Sequence, residues 1–454
     1  MSRTLDVDYI VVGAGAMGMA FTDALIDHAE VRVALLDRRH GVGGHWLEAY
    51  PFVRLHQASP FYGVASTPLG SGGIQQRGPE EGLHERATQA EICAYYARVL
   101  DRLVESGRVE FLANSEYAGD GAVVSRVSGE RTEMPGARVV DARYLAPSIP
   151  AEKPPPFGFT EDARVLPVNE LARLEEAPSQ YVVVGSGKTA TDACIWLLSR
   201  GVDPDSICWV RPRDPWMFNR AVVQPEPAVF IGMAADMMHA AEQSTSLEEL
   251  FLRLEDAGIM LRIDRAVMPT MAKTPTLATW ELAQLRTVEN VVRRGHLHHV
   301  ERGSLTFGGG SVGIAEDAVV VHCAADGLKY PPLIPIWRPE AITLQPIRAG
   351  FPCFAAALAG YVEATRDSDA EKNRLCPPSP YPDSMAAWAR MNVLGTQAVM
   401  SFSAEPDIKE WADQVALNPA RVPPGDPASA VLDDARERLA KHLKPGVAQL
   451  ERLL

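Results

Sequence analysis

The sequence predicts an α/β protein with two Rossmann-like dinucleotide-binding domains of three layers each. Three observations predict it. Tyr9-Ile10-Val11-Val12 runs apolar and β-branched into the turn Gly13-Ala14-Gly15-Ala16-Met17-Gly18. A second apolar run, Val33-Ala34-Leu35-Leu36, follows a helix-capable stretch and closes on Asp37. The same succession returns at Tyr181-Val182-Val183-Val184, with the turn Gly185-Ser186-Gly187-Lys188-Thr189-Ala190 behind it.

Each part of the first unit has a physical task. Gly13 lets the chain turn tightly off the strand. Gly15 leaves room for a pyrophosphate at the positive helix N-terminus, where Ala16 and Met17 open the helix, and Gly18 lets helix and strand close together. Asp37 accepts hydrogen bonds from a ribose 2′-hydroxyl and disfavours a 2′-phosphate there. Arg38 next to it is either close to an adenosine or a solvated surface charge. The glycines before His45 and Trp46, Gly43 and Gly44, suggest backbone lying against a ligand.

The segment 50–62 carries aromatics and amides, with prolines excluding a long helix. It suits a wall around a planar ring or a buried loop with satisfied polar groups. Apolar residues at Ile92, Tyr95, Tyr96, Val99, Leu100 and Leu103 predict an amphipathic helix over 89–103. Residues 109–112 read as a strand, and 123–127 with 137–140 as parts of a small antiparallel sheet. The prolines of 147–156 mark a linker.

In the second unit, Gly187-Lys188-Thr189 mimics an NTPase phosphate loop, but that motif needs a glycine where Val182 stands. The next strand, 206–210, ends in Arg211-Pro212-Arg213 where the first unit has Asp37. Guanidinium pairs with phosphate through bidentate, charge-assisted bonds, so this site favours NADPH, with Arg211 the nearer contact, Arg213 beside it and Lys188 adding charge. The acidic first site suits FAD. Together they imply hydride transfer from nicotinamide to flavin.

Among 454 residues, 46% are hydrophobic and 22% charged, and the formal net charge is −14, which argues against nucleic acid or anionic membrane as a general partner. The six cysteines form no C-x-x-C pair, and no apolar run reaches bilayer length, so a reduced, cytoplasmic setting is expected. His296, His298 and His299 lack acid or thiol spacing to complete a metal site, and none is expected. Seven methionines between 217 and 271 read as helical core or as an adaptable pocket.

On Gly13-Ala14-Gly15-Ala16-Met17-Gly18, Gly43-Gly44-His45-Trp46, and Gly185-Ser186-Gly187-Lys188-Thr189-Ala190 with Arg211, the chain resembles the flavin-containing monooxygenases of the two-dinucleotide flavoprotein family. The resemblance implies a discontinuous FAD domain, residues 1–150 and 316–420, with an NADPH domain, 160–315, inserted in it. A helical insertion over about 215–300 and a helical extension over 421–454 complete the expected layout, with the strand 318–323 returning the chain to the FAD domain. It also implies that flavin reduced by NADPH reacts with O2 to a C4a-(hydro)peroxide that oxygenates a small organic substrate. The family's active-site Asn falls near His56 and Gln57, which would hydrogen-bond the flavin. The chain departs from the family at Asp141-Ala142-Arg143-Tyr144 and Ala324-Ala325-Asp326-Gly327, which replace its usual Thr-Gly segments. A flavin reductase or oxidase without oxygen insertion, and a nucleotide-bound redox sensor or scaffold, remain alternatives. Residues 351–361 and 386–400 are expected to close over the flavin or form a homodimer surface.

Overall fold

The two apolar runs that enter glycine turns become the centres of two parallel sheets. The structure is a computed structural model describing residues 3–325, 329–423 and 429–454. Asp326 and Gly327, in the second departure from the family pattern, lie outside the described residues. In the first sheet the order is Ile342–Thr343, Arg138–Asp141, Tyr9–Val12, Val33–Leu36, Val109–Leu112, all parallel. In the second it is Arg164–Pro167, Val319–His322, Tyr181–Val184, Ile207–Val210, Val291–Val292, again all parallel. The central strands show no alternation of apolar and polar residues because both their faces are covered, so Tyr181–Val184 is buried at every residue.

Three expectations are corrected. Residues 138–141 belong to the first parallel sheet, beside Tyr9–Val12, and not to the small antiparallel one. That smaller sheet is made by Arg3–Thr4, Arg131–Glu133, Ala122–Ser125 and Ser115–Gly119, antiparallel except where Arg3–Thr4 pairs in parallel with Arg131–Glu133. Val319–His322 pairs with Tyr181–Val184 and so stays in the second sheet, and the chain rejoins the first only at Ile342–Thr343. The segment 215–300 is mixed: helices Pro227–Glu242 and Leu247–Asp256 pack with a sheet of Met260–Arg262, Pro215–Asn219 and Met271–Leu277. Its methionines 217, 233, 237, 238, 260 and 271 are buried, which is core.

The returning segment is stitched to the opening unit. Helix Pro352–Thr365 packs on helix Ala16–His28 so closely that a Cβ on Gly360 would lie 2.5 Å from the Phe21 carbonyl oxygen. The Glu363 carboxylate accepts from Tyr9 Oη at 2.8 Å, Trp337 Nε1 at 2.7 Å and Lys372 Nζ at 2.6 Å. The final helix, Ala430–Arg452, lies on Pro227–Glu242, where Gly446 leaves room for the Met238 carbonyl. No described helix is long and apolar enough to cross a membrane.

Candidate functional site

Both glycine turns end in helices without side-chain caps. Helix Ala16–His28 starts at Gly15 and helix Lys188–Ser199 at Gly187; neither has a side-chain cap or an acid in its first turn. By contrast, Thr88, Ser246, Ser384 and Ser429 each cap their helices with a side-chain oxygen. First-turn N–H groups left open at two strand ends are built to meet anions.

In the first turn Gly13 has φ +106°, and a Cβ on Gly18 would stand 1.9 Å from the Gly13 carbonyl oxygen. Gly15, Ala16 and Met17 keep exposed surface. Gly44, at φ +61°, brings its backbone against Gly15, where a Cβ would meet Gly15 Cα at 3.0 Å. The Asp37 carboxylate points into this turn, accepting from Ala14 N at 2.9 Å and Arg39 N at 2.9 Å. A carboxylate has about four acceptor positions, so it can still take a diol. Arg38 is exposed and pairs with Glu152 at 2.5 Å, which makes it a clasp on the linker. Trp46 is buried and donates to Tyr62 Oη at 2.6 Å, while the His45 ring stands 5.2 Å from it.

The second turn is wider. Among the described residues, a Cβ on Gly187 would meet nothing within 4 Å, and the buried Ser186 Oγ has no hydrogen-bond partner. Thr189 is half-buried and Ala190 fully buried against the sheet. Gly185 takes φ +137° beside Cys323. Two charges are corrected here. Arg211 is only 2% exposed: its guanidinium lies 4.6 Å from the Trp209 ring centre and 3.3 Å from Asp214, so of the two arginines after this strand the one open to solvent is Arg213. Lys188 turns away from the corner to pair with Asp192, with Glu281 at 3.8 Å.

Between the two units lies a buried ionic cluster that sequence reasoning missed. Arg220, 0% exposed, donates to Glu80 at 2.5 Å, Glu281 at 2.7 Å and the His56 carbonyl at 2.9 Å. Arg86 holds Glu80 through 2.9 and 2.6 Å bonds. Lys188, Arg86 and Arg220 thus balance Asp192, Glu80 and Glu281. Burial alone would raise the Glu281 carboxyl; Lys188, Arg220 and Arg86 override it and hold the pKa at about 2.

This cluster holds His56. Thr276 Oγ1 also donates to the His56 carbonyl, and Thr276 N reaches its Nδ1 at 3.4 Å. Burial, then Lys188 and Arg220, push the His56 pKa down to about 3, so the ring is neutral and carries its proton on Nε2. Gln57 is buried and spends its amide N–H on the Phe61 carbonyl at 3.3 Å, bracing its own loop. Burial also takes His45 and His322 down to about 4. The sign of the consequence is fixed. These rings stay neutral in the fold, whereas the unfolded chain binds protons below about pH 6.5, so stability falls as pH drops from about 6.5 towards 4. Each ring contributes at most about 2 kcal/mol of that loss at pH 5. Thermal midpoints that stay level from pH 7 to 5 would contradict this.

His298 and His299 lie on the strand Leu297–Glu301 and are not among the metal-type side chains that converge among the described residues. Those are His239, Glu242 and His442, whose ligand atoms lie within 4.8 Å, and Glu242 already faces His442 Nδ1 at 2.6 Å.

Comparison with known proteins agrees with this architecture. Residues 11–52 match the family model of an NAD(P)-binding Rossmann-like domain. "Uncharacterized protein Rv2000" of Mycobacterium tuberculosis (strain ATCC 25618 / H37Rv) is 40% identical over 421 residues, covering 92% of this chain and 78% of that protein. "Uncharacterized protein Mb2023" of Mycobacterium bovis matches with the same figures. Among solved structures, ε-caprolactone-bound cyclohexanone monooxygenase superposes with a TM-score of 0.53 at 15% identity, covering 89% of this chain and 98% of that one. Oxidized steroid monooxygenase bound to NADP gives 0.51 at 14% identity, covering 79% and 85%. The chain therefore belongs to the family of the mycobacterial proteins Rv2000 and Mb2023, and its fold is the two-Rossmann fold of those monooxygenases.

Proposed function

We propose that the protein is an FAD- and NADPH-dependent oxidoreductase that oxygenates a small organic substrate. The observation that carries this reading is a pair of uncapped glycine turns whose following strands lead into opposite charge, Asp37 in one unit and the exposed Arg213 in the other. The residues fit both nucleotides. Gly13, Gly15 and Gly18 shape a backbone cradle for the FAD pyrophosphate, with Asp37 for its ribose and Gly44 closing the far side. Gly187 and the unpartnered Ser186 Oγ leave space and a donor for the NADPH pyrophosphate, and Arg213 takes the 2′-phosphate. The steroid monooxygenase of similar fold is bound to NADP, which supports the second assignment.

Held by these residues, FAD would supply the redox chemistry, hydride acceptance from NADPH and oxygen transfer from O2. The chain's own residues orient and exclude. His56 presents a neutral Nε2–H as a fixed hydrogen-bond donor, and the ring gains no second proton anywhere near neutral pH. The ionic cluster holds that donor through its backbone, so its position is preorganised rather than acquired. Gln57 braces its loop, and Phe61, Phe230 and Phe351 pack edge-on against one another as a buried apolar cluster beside it that excludes water. The six free cysteines fit a reduced, cytoplasmic setting.

Anaerobic reduction kinetics test the nucleotide assignment. Arg213→Ala should raise the apparent KM for NADPH roughly ten- to hundredfold, the loss of one charge-assisted bond, and leave that for NADH nearly unchanged. Equal effects on both would remove Arg213 from the site. Labelled dioxygen appearing in product marks oxygenation; NADPH consumption that yields only hydrogen peroxide with every ketone and sulfide tried would leave a reductase.

A further inference from the structure

Each of the deeply buried arginines described above has a carboxylate within reach. Arg348 does not. It stands on the segment between the strand Ile342–Thr343 and the helix Pro352–Thr365, half-buried, and its side chain has no hydrogen bond or ion pair with any described residue. Its guanidinium carbon lies 5.7 Å from the ring centre of Phe230. Phe230 belongs to an edge-on trio with Phe61 at 6.4 Å and Phe351 at 5.7 Å, and Phe61 and Phe351 are 5.3 Å apart.

The position ties this cation to the cleft of His56 and Gln57. Phe61 is the residue whose carbonyl Gln57 holds. Gly350, two residues on from Arg348, faces Thr274, on the strand whose Thr276 fixes the His56 ring. Burial with no counter-charge lowers the Arg348 pKa to about 10, which still leaves it a cation at neutral pH. A guanidinium partly shielded from water and without an anion is open to one, and its planar fork matches a carboxylate. The nucleotide phosphates are assigned elsewhere. The first turn is walled by Ala142, Arg143 and Gly44 and the second by Cys323, none of them part of the Arg348 segment.

We propose that Arg348 determines substrate specificity by pairing with a carboxylate, so that the substrate is an organic acid with an apolar body of about ring size lying against the three phenylalanines. This rests on the reading of the His56–Gln57 cleft as the place where substrate meets flavin. Calorimetric titration with phenylacetate, 4-phenylbutyrate and indole-3-acetate, each beside its neutral amide, tests it. At least one acid should bind roughly tenfold or more tighter than its amide, R348L should erase that preference, and R348K should keep part of it. Acids and amides binding alike, or failing to bind at all, would overturn the proposal, as would a preference that survives in R348L. An R348L protein whose flavin is reduced more slowly while the acid preference persists would also overturn it, by placing the cation on the flavin edge. The same preparations separate the two readings. Flavin bleached by NADPH with no acid preference removes only the role of Arg348, whereas protein that retains no flavin removes the proposed function and still allows the acid and amide comparison.

Discussion

Gly18→Ala is expected to cost the protein both its first nucleotide site and much of its stability. The added Cβ would stand 1.9 Å from the Gly13 carbonyl oxygen and 3.3 Å from the Ala142 side chain. The turn and the helix meet here through backbone, so no side chain can swing aside; the helix must lift off the strand by more than about an ångström. Overpacking of this kind costs about 1–3 kcal/mol when side chains can yield, and backbone collision sits at or beyond the upper end. The helix N-terminus moves with it, so the pyrophosphate cradle is lost. Gly187→Ala is the matched control. It meets nothing within 4 Å, and its φ of −82° suits alanine, so the fold should tolerate it. Denaturant midpoints and FAD content after purification read both: G18A low in each, G187A normal in each but weaker for NADPH. A G18A protein that holds FAD with an unchanged midpoint would refute the close helix–strand contact.

Arg220→Met should be as severe, for an electrostatic reason. Arg220 is fully buried, and its removal leaves Glu281 and Glu80 in the cluster with one cation fewer. Breaking a buried ion pair from one side costs about 3–5 kcal/mol, because the surviving charge stays desolvated. Arg86 still covers Glu80, so most of the damage falls on Glu281, whose remaining cation, Lys188, is 3.8 Å away and shared with Asp192. Neutralising that carboxylate in R220M/E281Q should therefore recover part of the loss. A double variant less stable than R220M would mean that the two residues do not act as a pair. The His56 loop should loosen too, since Arg220 Nε holds its carbonyl.

What the sequence makes legible here is what short-range sterics dictate. The strand, turn and helix of each unit could be read because glycine spacing and apolar runs are local requirements, and both appear where expected, with Asp37 at the turn. The helix over 89–103 is found as Gln89–Glu105, with Thr88 and Glu91 forming its capping box. Sheet membership was not legible. Val319–His322 is an apolar run that would suit either parallel sheet, and nothing local states which one it joins. Arg211 was assigned by its place after a strand, yet Asp214 three residues on neutralises it, a pairing visible in the sequence only once the turn brings them together. The ionic cluster joins Glu80, Arg86, Lys188, Arg220 and Glu281, and no local pattern announces partners so far apart in the chain. For the same reason Arg348 stands out only when its surroundings are known.

Electrons passing from a visiting NADPH to a resident FAD are the central claim, and anaerobic reduction of the purified protein tests it most directly. The expected result is a yellow protein carrying stoichiometric FAD that NADPH bleaches faster than NADH does. Protein that added FAD cannot colour, or bound flavin that stays yellow under excess NADPH, would contradict it.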